Sequence, residues 1–281
     1  MNPKSNKNIE VYKPIKTLGK GSFGEAILVK SSAPGNGLYV MKIISMDNMS
    51  EELKEKTYSE VKILQKLNHP NIIKFHEFFF SKNFRNQISL HIIAEYADGG
   101  DLHRKIQIYK QKKIFFTENQ ILDYLIQITL ALNHMHSKNI LHRDIKPQNI
   151  FLTKNNIIKL GDFGVSKALE STFAKAKSLI GTPYYVSPEI FSNIPYSYKS
   201  DIWSFGVLLY QMTNFKMPFE AYNNISELGQ KIKAGNFEKI NNENYSVDLK
   251  NLIYDMLQVN PEKRPTLNDI LCKFIFFYGF F

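Results

Sequence analysis

The strongest constraint on this chain is a short segment rich in charged and amide side chains, Leu141-His142-Arg143-Asp144-Ile145-Lys146-Pro147-Gln148-Asn149. The triplet Asp162-Phe163-Gly164 follows, with Asp162 thirteen positions after Asn149. At this spacing Asp144 can orient a hydroxyl, and Lys146 can neutralise charge on a phosphate group in flight. Asn149 and Asp162 supply oxygen ligands of the kind that hold Mg²⁺ against the oxygens of ATP. The segment therefore predicts a phosphoryl-transfer site.

Length and composition set broad limits. The 281 residues are enough for one large domain or two lobes that bury a core without disulfides. The single cysteine, Cys272, excludes an internal disulfide and a cysteine-cluster zinc site, which fits the cytosol or the nucleus. Residues 1–7 are polar and basic, so no secretory signal is predicted. The net charge of +10 suits acidic partners, but no basic helix carries interleaved aromatic residues, and no nucleic-acid partner is predicted.

The longest apolar tract lies at the C-terminus, over residues 274–281. It is far shorter than the roughly 20 residues that a membrane span requires, so no membrane span is predicted. Two interpretations of the tract remain open. It is either the packed end of a last helix, or else an exposed sticky tail or a truncated chain whose continuation is missing.

Hydrophobic periodicity divides the chain into two parts. From Tyr12 to Tyr96, strand-like runs surround one amphipathic helix expected over 51–67. Beyond Gly100 long helical periods dominate, and helices are expected over 119–136, 201–213 and 246–259. The expected fold class is α+β and bilobal, with a small mainly β lobe that carries one regulatory helix, a larger mainly α lobe and a cleft near their joint. The expected boundaries are 12–96 and 97–275, with a short basic extension over 1–11 and an apolar tail over 276–281.

The motif Gly19-Lys20-Gly21-Ser22-Phe23-Gly24 is a weak signal alone, because glycine loops also form ordinary tight turns and dinucleotide sites. A dinucleotide site places its glycines between a strand and a helix, whereas here one strand follows another. We therefore expect a hairpin that covers nucleotide phosphates, with backbone N–H groups approaching the oxygens where no Cβ intervenes. An ordinary turn is the alternative.

Lys42 lies in the next predicted strand, between apolar neighbours, where an unpaired ammonium group is costly. Glu60, on the helix that follows, is its expected partner. The ammonium would then bridge this carboxylate and the α- and β-phosphates. The alternative is an exposed lysine on an edge strand.

Adenine is expected to bind to backbone groups after the last strand of the small lobe, namely the carbonyl of Glu95 and the N–H of Ala97. Ala94 stands where the wall behind adenine is expected, and it is small for that position. We therefore expect an open rear pocket, unless a nearby Phe or Met side chain fills the gap.

Arg143 carries a planar cationic group that is suited to a phosphate. Ser178 is the expected acceptor of that phosphate, in the segment after Gly164. The competing hydroxyls are those of Ser171, Thr172 and Thr182. Alternatively, the segment orders itself without modification.

Other polar residues are expected to have structural roles. Asp201 should hydrogen-bond the backbone of the 142–149 segment, with Trp203 beside it as a core aromatic residue. Glu189 and Arg264 are expected to form a buried ion pair. His134 and His136 lie two positions apart and point to different faces of a helix, which favours packing or capping over metal binding.

These residues together resemble the eukaryotic protein kinase family, from Leu18 to about Leu271. The glycine motif, Lys42, Glu60, the 142–149 segment, Asp162-Phe163-Gly164, Ser187-Pro188-Glu189, Asp201 and Arg264 fall in the order typical of that family. Ser187 replaces the alanine often found at its position. Lys146-Pro147 and Gly181-Thr182-Pro183-Tyr184-Tyr185 resemble the serine/threonine members. The segments 95–102, 159–167 and 180–189 are most similar to the NIMA-related (Nek) kinases.

The resemblance implies transfer of the γ-phosphoryl group of ATP, with Mg²⁺ or with Mn²⁺ in its place, to Ser or Thr hydroxyls of protein substrates. It implies catalytic residues (Asp144, Lys146, Lys42 and Glu60), metal ligands (Asn149 and Asp162), regulatory residues (Ser178, Arg143 and Thr182) and structural residues (Glu189, Asp201 and Arg264). The implied ATP-binding residues are Leu18, Gly19, Lys20, Gly21, Ser22, Phe23, Gly24, Ala26, Val40, Lys42, Ala94, Glu95, Ala97 and Asn149. It also implies activation at Ser178, by an upstream kinase or by autophosphorylation in trans. A role in cell-cycle, microtubule or cilium regulation follows from the same resemblance, in the cytoplasm, in the nucleus or on the cytoskeleton.

Two other functions compete with this hypothesis. A catalytically silent scaffold would keep the fold and bind partners or nucleotide, and a small-molecule phosphotransferase would use the same fold on another acceptor. The presence of Lys42, Asp144, Asn149 and Asp162 favours an active enzyme. The stretch from Asp162 to Glu189 is long enough to form a platform for an extended peptide, which favours a protein substrate.

Overall fold

The computed structural model describes residues 10–21, 24–34, 36–47, 49–83, 85–161, 183–221 and 224–278. The chain divides into two compact units, one reaching Asp98 and the other beginning at Gly99. The first unit is mainly β and the second mainly helical. This composition confirms the predicted α+β class.

The first unit is a five-stranded antiparallel sheet with one helix, and its strand order is β1-β2-β3-β5-β4. Its elements are β1 (Tyr12–Gly21), β2 (Gly24–Ser31), β3 (Leu38–Ser45), α1 (Glu51–Leu64), β4 (Phe75–Lys82) and β5 (Ile88–Glu95). Since β3 is the central strand, Lys42 does not lie on an edge, and its residue is half-buried. The edge-strand alternative for Lys42 is therefore wrong.

Local sequence explains both ends of α1. The side chain of Ser50 accepts a hydrogen bond from the N–H of Leu53. Acidic residues occupy the first turn, where their negative charge interacts favourably with the positive end of the helix dipole. The helix ends at Leu64, before the predicted position 67. The N–H of Leu67 bonds to the carbonyl of Leu64, three residues back, so the last residues form a tighter turn instead of another helical turn.

The two faces of the sheet bury separate apolar clusters, because successive side chains of a strand point to opposite faces. Helix α1 packs on one face, where its buried residues meet those of β3 and β5 (Leu53, Val61, Ile44, Leu90 and Ile92). The other face buries a second cluster (Tyr12, Val29, Met41, Phe79 and Ile93). Lys42 is two positions from Ile44 on β3, so its side chain lies on the same face of the sheet as α1.

The second unit is mainly helical. Its elements are α2 (Leu102–Lys112), α3 (Glu118–His136), β6 (Ile150–Leu152), β7 (Ile158–Leu160), α4 (Pro188–Phe191), α5 (Tyr198–Asn214), α6 (Ile225–Ala234), α7 (Val247–Met256) and α8 (Leu267–Tyr278). Helix α5 is the core of the unit, since every residue from Ser200 to Thr213 is buried. Trp203 is fully buried on this helix, as predicted.

A buried ion pair holds α4 against the start of α5. The guanidinium of Arg264 donates to both carboxylate oxygens of Glu189, at 2.8 Å each. Its three other N–H groups donate to the carbonyls of Lys199, Gln258 and Val259. All five donors of the guanidinium are thus satisfied, which a buried arginine requires. The predicted ion pair is present. Helix α7 ends at Met256, before the predicted position 259, and Pro261, which has no N–H group to continue the helix, begins a separate 3-10 turn.

The ion pair also sets the protonation of Glu189. Burial raises the pKa of this carboxyl, but the hydrogen bonds from Arg264 and Ser200 outweigh burial and lower the pKa to about 2. The hydroxyl of Ser200 lies 2.6 Å from Glu189 Oε1. Because the folded pKa lies below the unfolded value, the carboxylate stabilises the fold at neutral pH, and this stability is lost as the pH falls from about 4.5 towards about 2.

Within the described ranges, no helix is both long enough and apolar enough to cross a membrane. Helix α8 contains the start of the C-terminal apolar tract, but the side chains from position 274 onward lie outside the described residues. Both interpretations of that tract therefore stay predictions.

We predict that Arg264→Ala lowers the free energy of unfolding by about 3–5 kcal/mol, because it leaves the buried Glu189 carboxylate without a partner. Urea unfolding of the purified chain measures this change. Lys263→Ala is the matched control, since its side chain is exposed, and its effect should stay within about 0.5 kcal/mol. Equal losses from the two variants would contradict the assignment.

Candidate active site

Three of the predicted catalytic-loop residues come together in the second unit. The ammonium of Lys146 lies 2.8 Å from Asp144 Oδ2. The side-chain amide of Asn149 donates to the same carboxylate oxygen and to the carbonyl of Asp144, both at 2.8 Å. One carboxylate oxygen is thus held by a cation and an amide, which fixes the plane of the Asp144 carboxylate. Lys146, expected to meet a phosphate, pairs here with Asp144.

The loop reaches this geometry through a short 3-10 turn over Pro147–Asn149. Pro147 occupies the first position of the turn, where a missing N–H costs nothing. The N–H of Asn149 bonds to the carbonyl of Lys146 at 3.0 Å and closes the turn. The order Lys-Pro-Gln-Asn therefore places the side chains of Lys146 and Asn149 beside the same aspartate.

Asp201, on α5, fixes the backbone of the catalytic loop from the buried side. Its carboxylate accepts hydrogen bonds from the N–H groups of His142 and Arg143, both at 3.0 Å. Arg143 has a φ of 68°, a left-handed conformation that is unfavourable for a side chain with a Cβ. The two hydrogen bonds that the N–H groups of His142 and Arg143 donate to this buried carboxylate offset that cost. This is the arrangement that the sequence predicted for Asp201.

The sequence analysis missed two further partners of this carboxylate. His136 Nε2 lies 2.8 Å from Asp201 Oδ2, and the hydroxyl of Tyr196 lies 2.7 Å from Oδ1. His136 was assigned to packing or capping, and the structure places it in the Asp201 network instead. The signal available in the sequence was indirect: a fully buried carboxylate needs several donors, and the last turn of α3 lies just before the loop.

Burial raises the pKa of Asp201, but the hydrogen bond with His136 and the nearby imidazole groups outweigh burial and lower it below the ordinary value. Asp201 is therefore ionised at neutral pH. Its stabilising effect is present above the ordinary pKa of an aspartate and is lost on acidification below it.

The ring of His142 connects the catalytic loop to the end of β7. The N–H of Asp144 donates to His142 Nδ1 at 3.2 Å, so Nδ1 is an acceptor and Nε2 carries the proton. Nε2 then donates to the carbonyl of Gly161 at 3.2 Å, and the N–H of Gly161 bonds to the carbonyl of Asn149 at 3.0 Å. These contacts fix the residue that directly precedes Asp162.

Metal ligation is only partly described. Asn149 is 3% exposed and uses its amide nitrogen for both bonds to Asp144, so its amide oxygen is available as a hard ligand of the type that Mg²⁺ prefers. Asp162, the other predicted ligand, lies outside the described residues, as do Ser178 and Thr182. Among the residues that are described, no group of three His, Cys, Asp or Glu side chains could hold a metal ion.

In the first unit the glycine motif joins two antiparallel strands, as predicted, with Gly21 paired to Gly24. A Cβ on Gly24 would lie 1.8 Å from the carbonyl oxygen of Ile43, so only glycine fits there. Ser22 and Phe23, between the paired glycines, lie outside the described residues.

Four of the other predicted nucleotide residues share one face of the sheet. Ala26 pairs with Lys42, and Val40 pairs with Ala94. Val40 and Lys42 are two positions apart on β3, so the four side chains lie on the same side. Leu18, on β1, is 42% exposed. The side chain of Glu60 lies outside the described residues, so its pairing with Lys42 stays a prediction.

The backbone after β5 fits the expected readout of adenine. Ala97 is 7% exposed, and its N–H donates to no backbone carbonyl within the described parts of the chain. A nearly buried donor of this kind requires a partner, and the adenine ring can supply one. The side chain of Glu95 accepts from the N–H of Lys74 at 3.0 Å, which fixes the end of β5. Phe75 of β4 pairs with Ala94, and the open rear pocket stays a prediction.

We predict that Asp201→Asn exposes the amides of His142 and Arg143 to hydrogen exchange, because an amide side chain offers one acceptor oxygen in place of two. Exchange followed by mass spectrometry should show faster deuteration of the catalytic-loop peptide. The control is Asp248→Asn, whose exposed carboxylate lies 3.8 Å from Lys273. Unchanged protection in Asp201→Asn would mean that other contacts hold the loop.

Comparison with known proteins agrees with this geometry. The chain is 45% identical to mouse serine/threonine-protein kinase Nek1 over 265 residues, which covers 94% of the chain and 21% of the relative. It is 43% identical to human serine/threonine-protein kinase Nek5 over 264 residues, covering 94% of the chain and 36% of the relative. It is 44% identical to the probable serine/threonine-protein kinase nek3 of Dictyostelium discoideum, covering 94% of the chain and 23% of the relative.

The chain thus spans well under half the length of these relatives. The family model described as protein kinase domain matches residues 12–276, nearly the whole chain. The motifs, the mainly β and mainly helical units and the catalytic loop all agree with that match. The chain therefore belongs to the protein kinase domain family, with Nek serine/threonine kinases among its relatives.

Proposed function

We propose that this chain is an active serine/threonine protein kinase domain that transfers the γ-phosphoryl group of ATP to Ser and Thr hydroxyls of protein substrates. The observation that carries the proposal is the convergence of Lys146 and Asn149 on Asp144, in a loop that Asp201 anchors. The named relatives at 43–45% identity support the choice of acceptor, since each is a serine/threonine-protein kinase.

In this proposal Asp144 aligns the substrate hydroxyl and accepts its proton late in the reaction, since a carboxylate is a weak base at neutral pH. Lys146 lies beside the carboxylate and is placed to screen negative charge as the phosphoryl group moves. His142 and Asp201 touch no substrate and act by holding the loop.

The protein kinase family uses ATP with a divalent cation, generally Mg²⁺. ATP supplies the phosphoryl group, and the cation neutralises charge on the phosphate oxygens. Asn149 and Asp162 would hold the cation. The glycine motif, Lys42 with Glu60, and the backbone of Glu95 and Ala97 would hold the nucleotide. We also propose that Mn²⁺ can replace Mg²⁺, since both accept oxygen ligands in an octahedral arrangement.

A catalytically silent scaffold is the second candidate. A silent kinase fold usually lacks a metal ligand, the catalytic aspartate or the lysine that binds the phosphates. All of these residues are present in this chain, namely Lys42, Asp144, Asn149 and Asp162. A small-molecule phosphotransferase lacks a specific observation in its favour. We further propose a Nek-like role in cell-cycle, microtubule or cilium regulation, in the cytoplasm, in the nucleus or on the cytoskeleton.

We predict that Asp144→Asn lowers the rate of phosphate transfer to casein by roughly 10²–10⁴-fold, because the amide cannot accept the proton. Transfer from γ-labelled ATP with Mg²⁺ measures the rate. The matched control is Asp123→Asn on α3, an exposed aspartate that accepts a hydrogen bond from the side chain of Gln127. An Asp144→Asn protein as active as the control would overturn the proposal.

We also propose activation by phosphorylation at Ser178, either by an upstream kinase or by another copy of the chain in trans. Arg143 supports this proposal, because it is exposed, directly precedes Asp144 in the chain and carries a guanidinium group suited to a phosphate. Protein substrates that carry Ser or Thr are the expected partners of the active form.

We predict that Ser178→Ala loses most of its activity, whereas Ser171→Ala and Thr172→Ala keep theirs. To distinguish autophosphorylation in trans from an upstream kinase, the inactive Asp144→Asn chain is incubated with the wild-type chain and analysed by mass spectrometry. Phosphate on Ser178 of the inactive chain means transfer in trans. Label confined to Thr182, together with full activity of Ser178→Ala, would contradict the assignment. A label that requires an added kinase would favour upstream activation.

A further inference from the structure

An aromatic surface follows helix α2 in the second unit. Ile114 and Phe115 are 52% and 43% exposed, although the next residue, Phe116, is 1% exposed. The ring of Phe116 packs on Tyr109 with centroids 4.3 Å apart, and Phe115 stacks on Phe215 with centroids 5.1 Å apart. The buried ring fixes the backbone, so two large apolar side chains are held towards solvent in defined positions.

A cavity of about 300 Å³ opens beside Phe115. Its wall includes Tyr210 and Asn214 of α5 and, from the segments that follow α5 and α6, Lys216, Glu238 and Lys239. This volume is at the small end of the range for ligand sites and leaves room for a large side chain. The stacked rings and the cavity are continuous, because Phe115 belongs to both.

The surface is strongly basic. Three exposed lysines, Lys110, Lys112 and Lys113, end α2, directly before Ile114. Lysines at a helix C-terminus interact favourably with the negative end of the helix dipole. This interaction explains the lysines at the end of α2 but not Lys216 and Lys239, which lie at the cavity. Lys216 forms no ion pair within the described parts of the chain. The ammonium of Lys239 lies 4.0 Å from the centre of the Tyr254 ring.

Single exposed apolar residues are normal on protein surfaces, whereas a cluster of rings beside a cavity indicates an interaction site. Aromatic anchors surrounded by charged rims are typical of binding hot spots. Two lysines and one glutamate line the cavity, and three exposed lysines precede Ile114 along the chain. This excess of positive charge attracts a negatively charged partner, which agrees with the net charge of +10.

We propose that the Phe115 surface (Lys112, Ile114, Phe115, Phe215, Lys216 and the adjoining cavity) docks an acidic peptide segment of a partner protein. An aromatic side chain of the segment would enter the cavity against Phe115. Flanking carboxylates would face the lysines. The surface is separate from Asp144 and its loop, so docking adds to the proposed phosphate transfer without taking part in it.

Fluorescence anisotropy tests the proposal with a fluorescein-labelled peptide of six glutamates around a central phenylalanine. The peptide has no hydroxyl group and cannot accept phosphate, so its binding is independent of the proposed activity. We expect saturable binding that Phe115→Ala and Lys216→Glu each weaken by at least about fivefold. Raising the ionic strength from about 0.01 M to about 0.15 M should also weaken binding, since the Debye length shortens.

The matched controls are Ile15→Ala, with 52% exposure at the mutated side chain, and Lys66→Glu, an exposed charge reversal on the first unit. Both should bind as wild type. Lys216→Glu changes an exposed residue, so it tests the proposal even if Phe115→Ala lowers the unfolding temperature. Equal affinity of all variants, or equal binding of a peptide with glycine in place of phenylalanine, would overturn the proposal. Absence of peptide binding, with sedimentation that reveals a dimer lost in Phe115→Ala, would assign the surface to a second copy of the chain.

Discussion

The carboxylate of Asp201 is the contact on which the catalytic loop depends. It is fully buried on α5, and its two oxygens accept from the backbone of His142 and Arg143, from Tyr196 and from His136. The left-handed backbone at Arg143 requires such support, and the positions of Asp144, Lys146 and Asn149 follow from that backbone. Loss of this one acceptor would therefore disturb groups that it never touches.

Buried charges at the start of α5 are tolerated because each has hydrogen-bond partners. Ser200, directly before Asp201, bonds to Glu189, and Arg264 uses all five of its donors on Glu189 and three carbonyls. Two buried acids, Glu189 on α4 and Asp201 on α5, are thus kept ionised among mostly apolar residues. Such pairs add less to net stability than their number suggests, but they are costly to break and they specify one arrangement of α4, α5 and the loops.

Much of this arrangement was predictable from residue type and spacing. The α+β class, the hairpin of the glycine motif, the pair Glu189–Arg264 and the contact of Asp201 with the loop backbone are present as expected. The ends of α1 and α7 were placed too late, because a tight turn ends α1 and because Pro261, which lacks an N–H group, follows α7. The contacts of His136 and Tyr196 with Asp201 were not foreseen. His136 is distant in sequence and meets Asp201 only after the helices have packed, and Tyr196 is close in sequence but lies before the start of α5, outside the helical pattern.

The sequence by itself determined the chemistry of the site. The order of Asp144, Lys146, Asn149 and Asp162 predicts phosphoryl transfer, since few reactions need these groups at these spacings. The tertiary structure alone decided which groups satisfy each buried charge. It also brought the exposed ring of Phe115 onto Phe215, beside a cavity whose lining includes Lys216 and Lys239. The physical reason is that short motifs act through covalent neighbours, whereas the partners of a buried charge and the shape of a surface depend on contacts across distant parts of the chain.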